Sequence, residues 1–421
     1  MSLPLDQSSV STPYVAMKNP RGDLVYVKRS SLDFGAYMTK VDQMVPSGTT
    51  SINTAGTSFV EFQIDGCSVH RVDQLVFSVT CTNTDAVVGH NLIPVPLQFQ
   101  LNNVQFWVNN QLANTVISQD LFLADVTGDY GLVQSKAHAA GFTVNATTGA
   151  FTQGSNDLIA PSGTKVYTLT IPSFISQIFM ATLRVNSLRV RFTFNSGANL
   201  VNSTTVASWT ALSYSNPVLY LLGRKYNDDV AGALIKQYQQ APHISRCILR
   251  ANQVTTQSTT SGSYAQILLG SINGTFCNLY IVSNDQAGNP EDQYLSYQAI
   301  STLSIQNPSG DAIWVNDVPS SLFRDAIMPL KGGRSLVDVS NHIYMWPLAR
   351  FPFQNCLGGG DGYPSNGQRN SGGIFFDGRH RLQAKAAVTG TSTFTISGWY
   401  YGCVRQGVQG DLTVSAAVSN Q

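Results

Sequence analysis

The sequence predicts an all-β protein: two tandem eight-stranded jelly-roll sandwiches, with short inserted helices and one linker helix. Three observations point there. Short alternating or β-branched runs recur along most of the chain, separated by breaks rich in Asn, Asp, Gly and Ser. Phe106-Trp107-Val108-Asn109-Asn110 nearly repeats as Ile313-Trp314-Val315-Asn316-Asp317, almost half the chain later. Tyr226 to Gln240 has helical spacing and lies between the halves.

The context of the repeat recurs too. Leu97-Gln98-Phe99-Gln100 precedes the first copy and Leu303-Ser304-Ile305-Gln306 the second, both alternating. Ile117 to Phe122 follows the first and Pro319 to Ile327 the second, each reading into a short helix. Solenoid repeats run about 20–50 residues, so this longer period implies one domain built twice.

In chain order, residues 1–50 read as an N-terminal arm. Lys18, Arg21, Lys28, Arg29 and Lys40 are nearly balanced by Asp6, Asp23, Asp33 and Asp42. Two readings stand: a disordered tail, or an arm that orders against partner subunits or a membrane, with Phe34, Tyr37, Met38 and Val41 as anchors.

Residues 51–225 form the first sandwich. Its strands are Phe59–Ile64, Leu75–Thr82, two short runs within Leu97–Val108 split by Asn102-Asn103, Val166–Ile171, Leu188–Phe194 and Pro217–Leu222. In Leu188–Phe194, Leu188, Val190, Phe192 and Phe194 share one face. A short helix over Ile117–Val126 starts at Ser118. Residues 226–242 are the linker helix, capped by Asn227 or Asp228 and ended by Ala241-Pro242.

Residues 243–408 form the second sandwich. Its strands include Ala265–Leu269, Leu279–Val282, the Trp314 copy, Ile343–Trp346, Arg381–Val388 and Thr393–Val404. A short helix covers Leu322–Met328, and Leu357 to Gly373 is a Gly-rich loop. Residues 409–421 are a tail. Eight strands in two Greek keys make a jelly roll.

Composition narrows the function. The chain has 421 residues, too many for one usual core. Charged residues are only 12%, and the net charge is +1. So weakly charged a surface suits a protein that packs against neighbours, although neutral secreted β-proteins share it. Near-neutrality argues against nucleic-acid binding. Cys67, Cys81, Cys247, Cys277, Cys356 and Cys403 form no C-x-x-C pair and read as free thiols. The first residues do not read as a secretory signal, and no run approaches the roughly 18 apolar residues of a span.

On the duplicated Trp strands with their following helices, the linker helix, and the terminal Phe394-Thr395-Ile396-Ser397-Gly398-Trp399-Tyr400-Tyr401 strand, the chain resembles the double jelly-roll major capsid proteins of tailless icosahedral viruses, internal-membrane bacteriophages among them. The resemblance covers roughly residues 50–405 and rests on layout. It implies a non-enzymatic capsid protein forming pseudo-hexagonal homotrimers, located in the virion after synthesis in the host cytoplasm. Implied partners are itself, minor capsid and vertex proteins, and lipids of an internal membrane through the arm. The arm's balanced charge fits, since genome condensation needs many Lys/Arg contacts. The alternative is a virion spike or carbohydrate-binding tandem sandwich, whose Tyr and Trp side chains stack on glycans.

No catalytic, cofactor or metal site is expected. His70, His90, His138, His243, His342 and His380 lack ligand spacing and read as surface or interface residues. Gly358-Gly359-Gly360-Asp361-Gly362 lacks the Lys-Ser/Thr of a phosphate loop. Asp361 and Asp377 flank that loop, and a hydrolase would need such a pair about 5–10 Å apart.

Overall fold

The computed structural model describes residues 14–18, 24–28, 37–48, 52–126, 130–145, 151–153, 157–184, 187–202, 204–285, 297–311, 318–319, 322, 342–348, 373–387 and 389–416. The second Trp copy (313–317), nearly all of the Leu322–Met328 helix and the Gly-rich loop, Asp361 included, lie outside them.

Two arm strands, β1 (Tyr14–Lys18) and β2 (Leu24–Lys28), pair with each other. The first sandwich follows with β3 (Tyr37–Met44), β4 (Ser58–Gln63), β5 (Arg71–Asn83), β6 (Leu101–Val108) and β7 (Gln111–Ile117). Next come the minor pair β8 (Thr143–Val144) and β9 (Phe151–Thr152), then β10 (Thr164–Ile171), β11 (Leu188–Phe194) and β12 (Leu212–Tyr226). The sheets run β10-β5-β12-β3 and β4-β11-β6-β7. Labelled B to I in chain order, the eight main strands form sheets BIDG and CHEF, a jelly roll.

The second half repeats that order. Its strands are β13 (His243–Thr259), β14 (Tyr264–Leu268), β15 (Asn273–Asp285), β16 (Ile300–Gln306), β17 (Val318–Pro319), β18 (Tyr344–Pro347), β19 (Ile374–Asp377), β20 (Arg381–Ala386), β21 (Gly390–Gln406) and β22 (Leu412–Ala416). The sheets run β13-β21-β15-β18 and β14-β20-β16-β17, so this half is also BIDG and CHEF. Strand β19 extends the G position beside β18 along β15. The fold is therefore a double jelly roll, and strand order carries the duplication. Strand E of the second half, β16, ends at Gln306, ahead of the Trp314 copy.

Alternation explains the strands. In β11 the apolar set is buried and the Arg/Thr set is not. Phe77 stacks on Phe192 across the two sheets, with centroids 4.1 Å apart, at the centre of the first core. Helix α4 (Asp228–Gln240) begins after Asn227, with Asp228 and Asp229 in its first turn as the helix dipole favours. It ends at Ala241, ahead of Pro242.

Several expectations are corrected. Leu97–Gln100 is a helical turn, α1, not a strand. Phe99 and Gln100 amides both bond Pro96 O, and all four side chains are buried, which alternation could not achieve. The Asn102-Asn103 pair is not a turn, because β6 runs through it. Helix α2 (Ser118–Val126) is as expected; a further helix, α3 (Tyr130–Ala140), follows it.

The arm does not extend to residue 50: Tyr37–Met44 pairs along its whole length with β12 as strand B. Nor is the segment after 408 only a tail. Gly407 N donates to Asp411 O at 2.7 Å, and Gly410 takes φ +79°, a turn that sends β22 back along β21.

Candidate assembly surface

Each jelly roll has a BIDG sheet with one face on its own core. In the second roll the other face is also covered, because the first roll packs on it. Partners across strands share a face. Arg250, Trp399 and Asn278 are in register, as are Asn252, Ser397 and Tyr280, and of these Arg250, Trp399, Asn278, Ser397 and Tyr280 are all buried.

Helix α2 supplies much of the cover. Phe122 meets Tyr297 at 6.4 Å, and Gln119 donates to the Tyr297 hydroxyl. Asn109 donates to Leu412 O at 2.6 Å, tying the β6–β7 turn to β22. Gln406 bonds Phe179 and Thr182, and Arg184 bonds Gln409. Apolar side chains of both rolls merge into one cluster here.

The seam holds an unusual charge. Asp120, in the first turn of α2, is fully buried and makes no hydrogen bond of good geometry. Burial pushes its carboxyl up to about 7, against the pull of Arg250 and Asn252 on β13. The Arg250 guanidinium lies 3.9 Å from the Trp399 ring centre.

Among the described residues the equivalent face of the first roll is left exposed, apart from Ser78 near its centre, which is buried. Its rows are Val41/Leu222/Gln74, Gln43/Tyr220/Val76/Thr170, Val218/Ser78/Thr168 and Ser215/Thr80/Val166. None of these residues is charged. Val41 is 55% exposed and Val166 59%. The nearest ion pair, Arg224–Asp73 at 3.0 Å, sits at the end of the sheet. Away from its Thr39/Arg224/Arg71 end, this is a four-stranded face carrying Val, Leu, Tyr and Thr side chains and no charge, built to be covered.

On the first roll's CHEF sheet, Glu61 pairs with Arg189 and Arg191, both at 2.9 Å, and Arg191 stacks over Phe59 and Trp107. The arginines cover the Trp107 ring that a glycan would need.

The other candidates resolve individually. His380 is buried against Phe376 and 3.1 Å from Asp377, not at the surface. Asp377 is held low chiefly by its bond from Arg379; its proposed companion Asp361 lies outside the described residues. Cys67, Cys81, Cys247, Cys277 and Cys403 are free, with the thiols of Cys67, Cys81 and Cys247 pushed up by burial; Cys356 is outside the described residues. Among the described residues no cluster of three His, Cys, Asp or Glu could hold a metal, and no helix is long and apolar enough to cross a membrane. Sequence reading missed Asp120 and Arg250, since nothing local marks a pair that meets across two domains.

No family model matches the sequence, and no curated protein matches it. Solved structures do. The chain is similar to the VP54 protein of the virus PBCV-1, seen in a structure fitted into a reconstruction of the virophage Sputnik: 13% identity, TM-score 0.66, covering 91% of this chain and 97% of that one. It is similar to the Faustovirus major capsid protein, at 9% identity and TM-score 0.59 over 87% and 90% of the two chains. It is also similar to the STIV major capsid protein, at 7% identity and TM-score 0.50 over 86% and 97%. The chain thus shares the double jelly-roll architecture of these proteins across nearly its whole length.

Proposed function

We propose that this protein is a major capsid protein that self-assembles as pseudo-hexagonal homotrimers into an icosahedral virus shell. The observation that carries the proposal is the open BIDG face of the first roll beside the covered BIDG face of the second. Within the chain, the first roll covers the second. If the second roll of a neighbouring copy covers the first roll in the same way, the contact is heterologous, and such contacts close into rings. Three copies supply six jelly rolls. The likeness to solved capsid proteins over nearly the full chain supports the same reading.

In this reading residues 37–226 are the first roll, 227–242 the linker and 243–416 the second roll. The protein acts in the virion as a structural component rather than as an enzyme. Its nearly balanced arm supports contact with neighbouring capsomers or an enclosed lipid layer. Minor capsid and vertex proteins are its further partners.

The test is the double variant Val41→Asp, Val166→Asp, which puts two carboxylates on the open face. The expected result is a folded monomer that builds no shells. Trimers that persist in this variant would refute the assignment of the face.

A further inference from the structure

Linker helix α4 is held near both ends by an imidazole. At its start, the Tyr226 amide donates to His70 Nδ1 at 3.0 Å. Tyr226 closes β12, and Asn227 opens the helix. The His70 ring stacks on Tyr226 at 6.1 Å with the planes 7° apart, and meets Phe179 at 6.0 Å. Towards the helix end, buried Tyr238 stacks on Phe179 at 5.0 Å and meets His243, the first residue of β13, at 4.7 Å. Phe179, Tyr226, Ala231 and Tyr238 form a cluster apart from the two main cores.

The charged surroundings are mostly cationic. Lys40 of β3, Lys225 of β12 and Asp228 of α4 act on His70. Arg71 of β5 acts on His243 and bonds Tyr238. An imidazole nitrogen accepts a hydrogen bond only while unprotonated, and imidazolium donates from both nitrogens. Charging His70 therefore sets a donor against the Tyr226 amide, itself a donor.

We propose that His70 and His243 form an acid-released latch on the linker helix: protonation breaks the Tyr226–His70 bond, places a second cation beside Arg71, and frees α4 from the first jelly roll. Burial, with Lys225 and Lys40 and against Asp228, lowers His70; burial and Arg71 lower His243. The docked state thus binds fewer protons than the open one. Its stability is full above the ordinary histidine range and is lost as pH falls through and below it. The helix is the covalent link between the rolls, so the latch would set how firmly they are tied.

The test is hydrogen exchange by mass spectrometry on the full-length protein at pH 7.5 and 5.0, corrected for intrinsic rates. Protection across 226–240 should fall on the order of tenfold at pH 5.0, while β5 and β21 keep theirs. His70→Asn retains an acceptor and cannot charge, and His243→Gln removes the second imidazole. The double variant should hold protection at both pH values. Equal loss in that variant, or no loss in the wild type, overturns the latch. Should the variant fail to fold, a wild-type pH series decides: a midpoint somewhat below 6.5 supports the latch, and one in the carboxylate range near 4 overturns it.

Discussion

Replacing Asp120 by Asn should make the protein more stable at pH 8 and change it least at pH 4. The carboxyl is buried in the seam and rises from an ordinary 3.8 to about 7. This is an acid whose folded-state pKa lies above its unfolded one. Between those values the folded protein holds a proton that the unfolded chain has released, so this group costs stability as pH rises from about 4 to 7. Each pKa unit is worth about 1.4 kcal/mol, so the full cost is on the order of 4 kcal/mol above pH 7. The neutral amide of the variant would carry no such cost. The pull of Arg250 is already contained in the value of about 7, so it is not subtracted again; the guanidinium keeps its stack on Trp399. The assay is denaturant unfolding of both proteins at pH 4, 6 and 8, taking the difference at each. Other titrating groups cancel in that difference. A difference that does not grow with pH would refute the burial argument.

Three further outcomes are expected. Phe77→Ala removes a ring stacked on Phe192 in the first core and should cost about 3–5 kcal/mol in unfolding free energy. Deleting residues 1–36 should leave folded trimers but impair shells, whereas deleting 1–44 removes edge strand β3, uncovers β12 and should drop the melting temperature sharply; light scattering and melting curves separate the two. Cys67, whose thiol burial pushes up to about 12, should react with a neutral-pH thiol reagent far more slowly than a free cysteine, read by a colorimetric time course.

Strands such as β11 were legible because half-burial writes a period of two into the residues. Helix α4 was legible through the Asn227 boundary, its spacing and Pro242. Strand β3 was hidden because it is an edge: Met38 and Val41, on opposite faces, are both exposed among Lys40, Asp42 and Gln43, and its partner β12 lies far along the chain. Pro96 offered a signal for α1 that alternation masked, and Gly407 with Gly410 marked the turn into β22. The open sheet face could not be read locally, because it is defined by what covers the equivalent sheet in the other roll. Asp120 and His70 likewise gain their character only from groups that the fold brings to them.

The most direct test of the account is the mass of the native protein in solution, by light scattering over a range of ionic strengths. A self-assembling capsid protein gives a stable species of three times the 45.5 kDa chain mass, passing into shells or sheets under some of those conditions. A strict monomer at every condition would contradict it, and the open face would then need a different occupant.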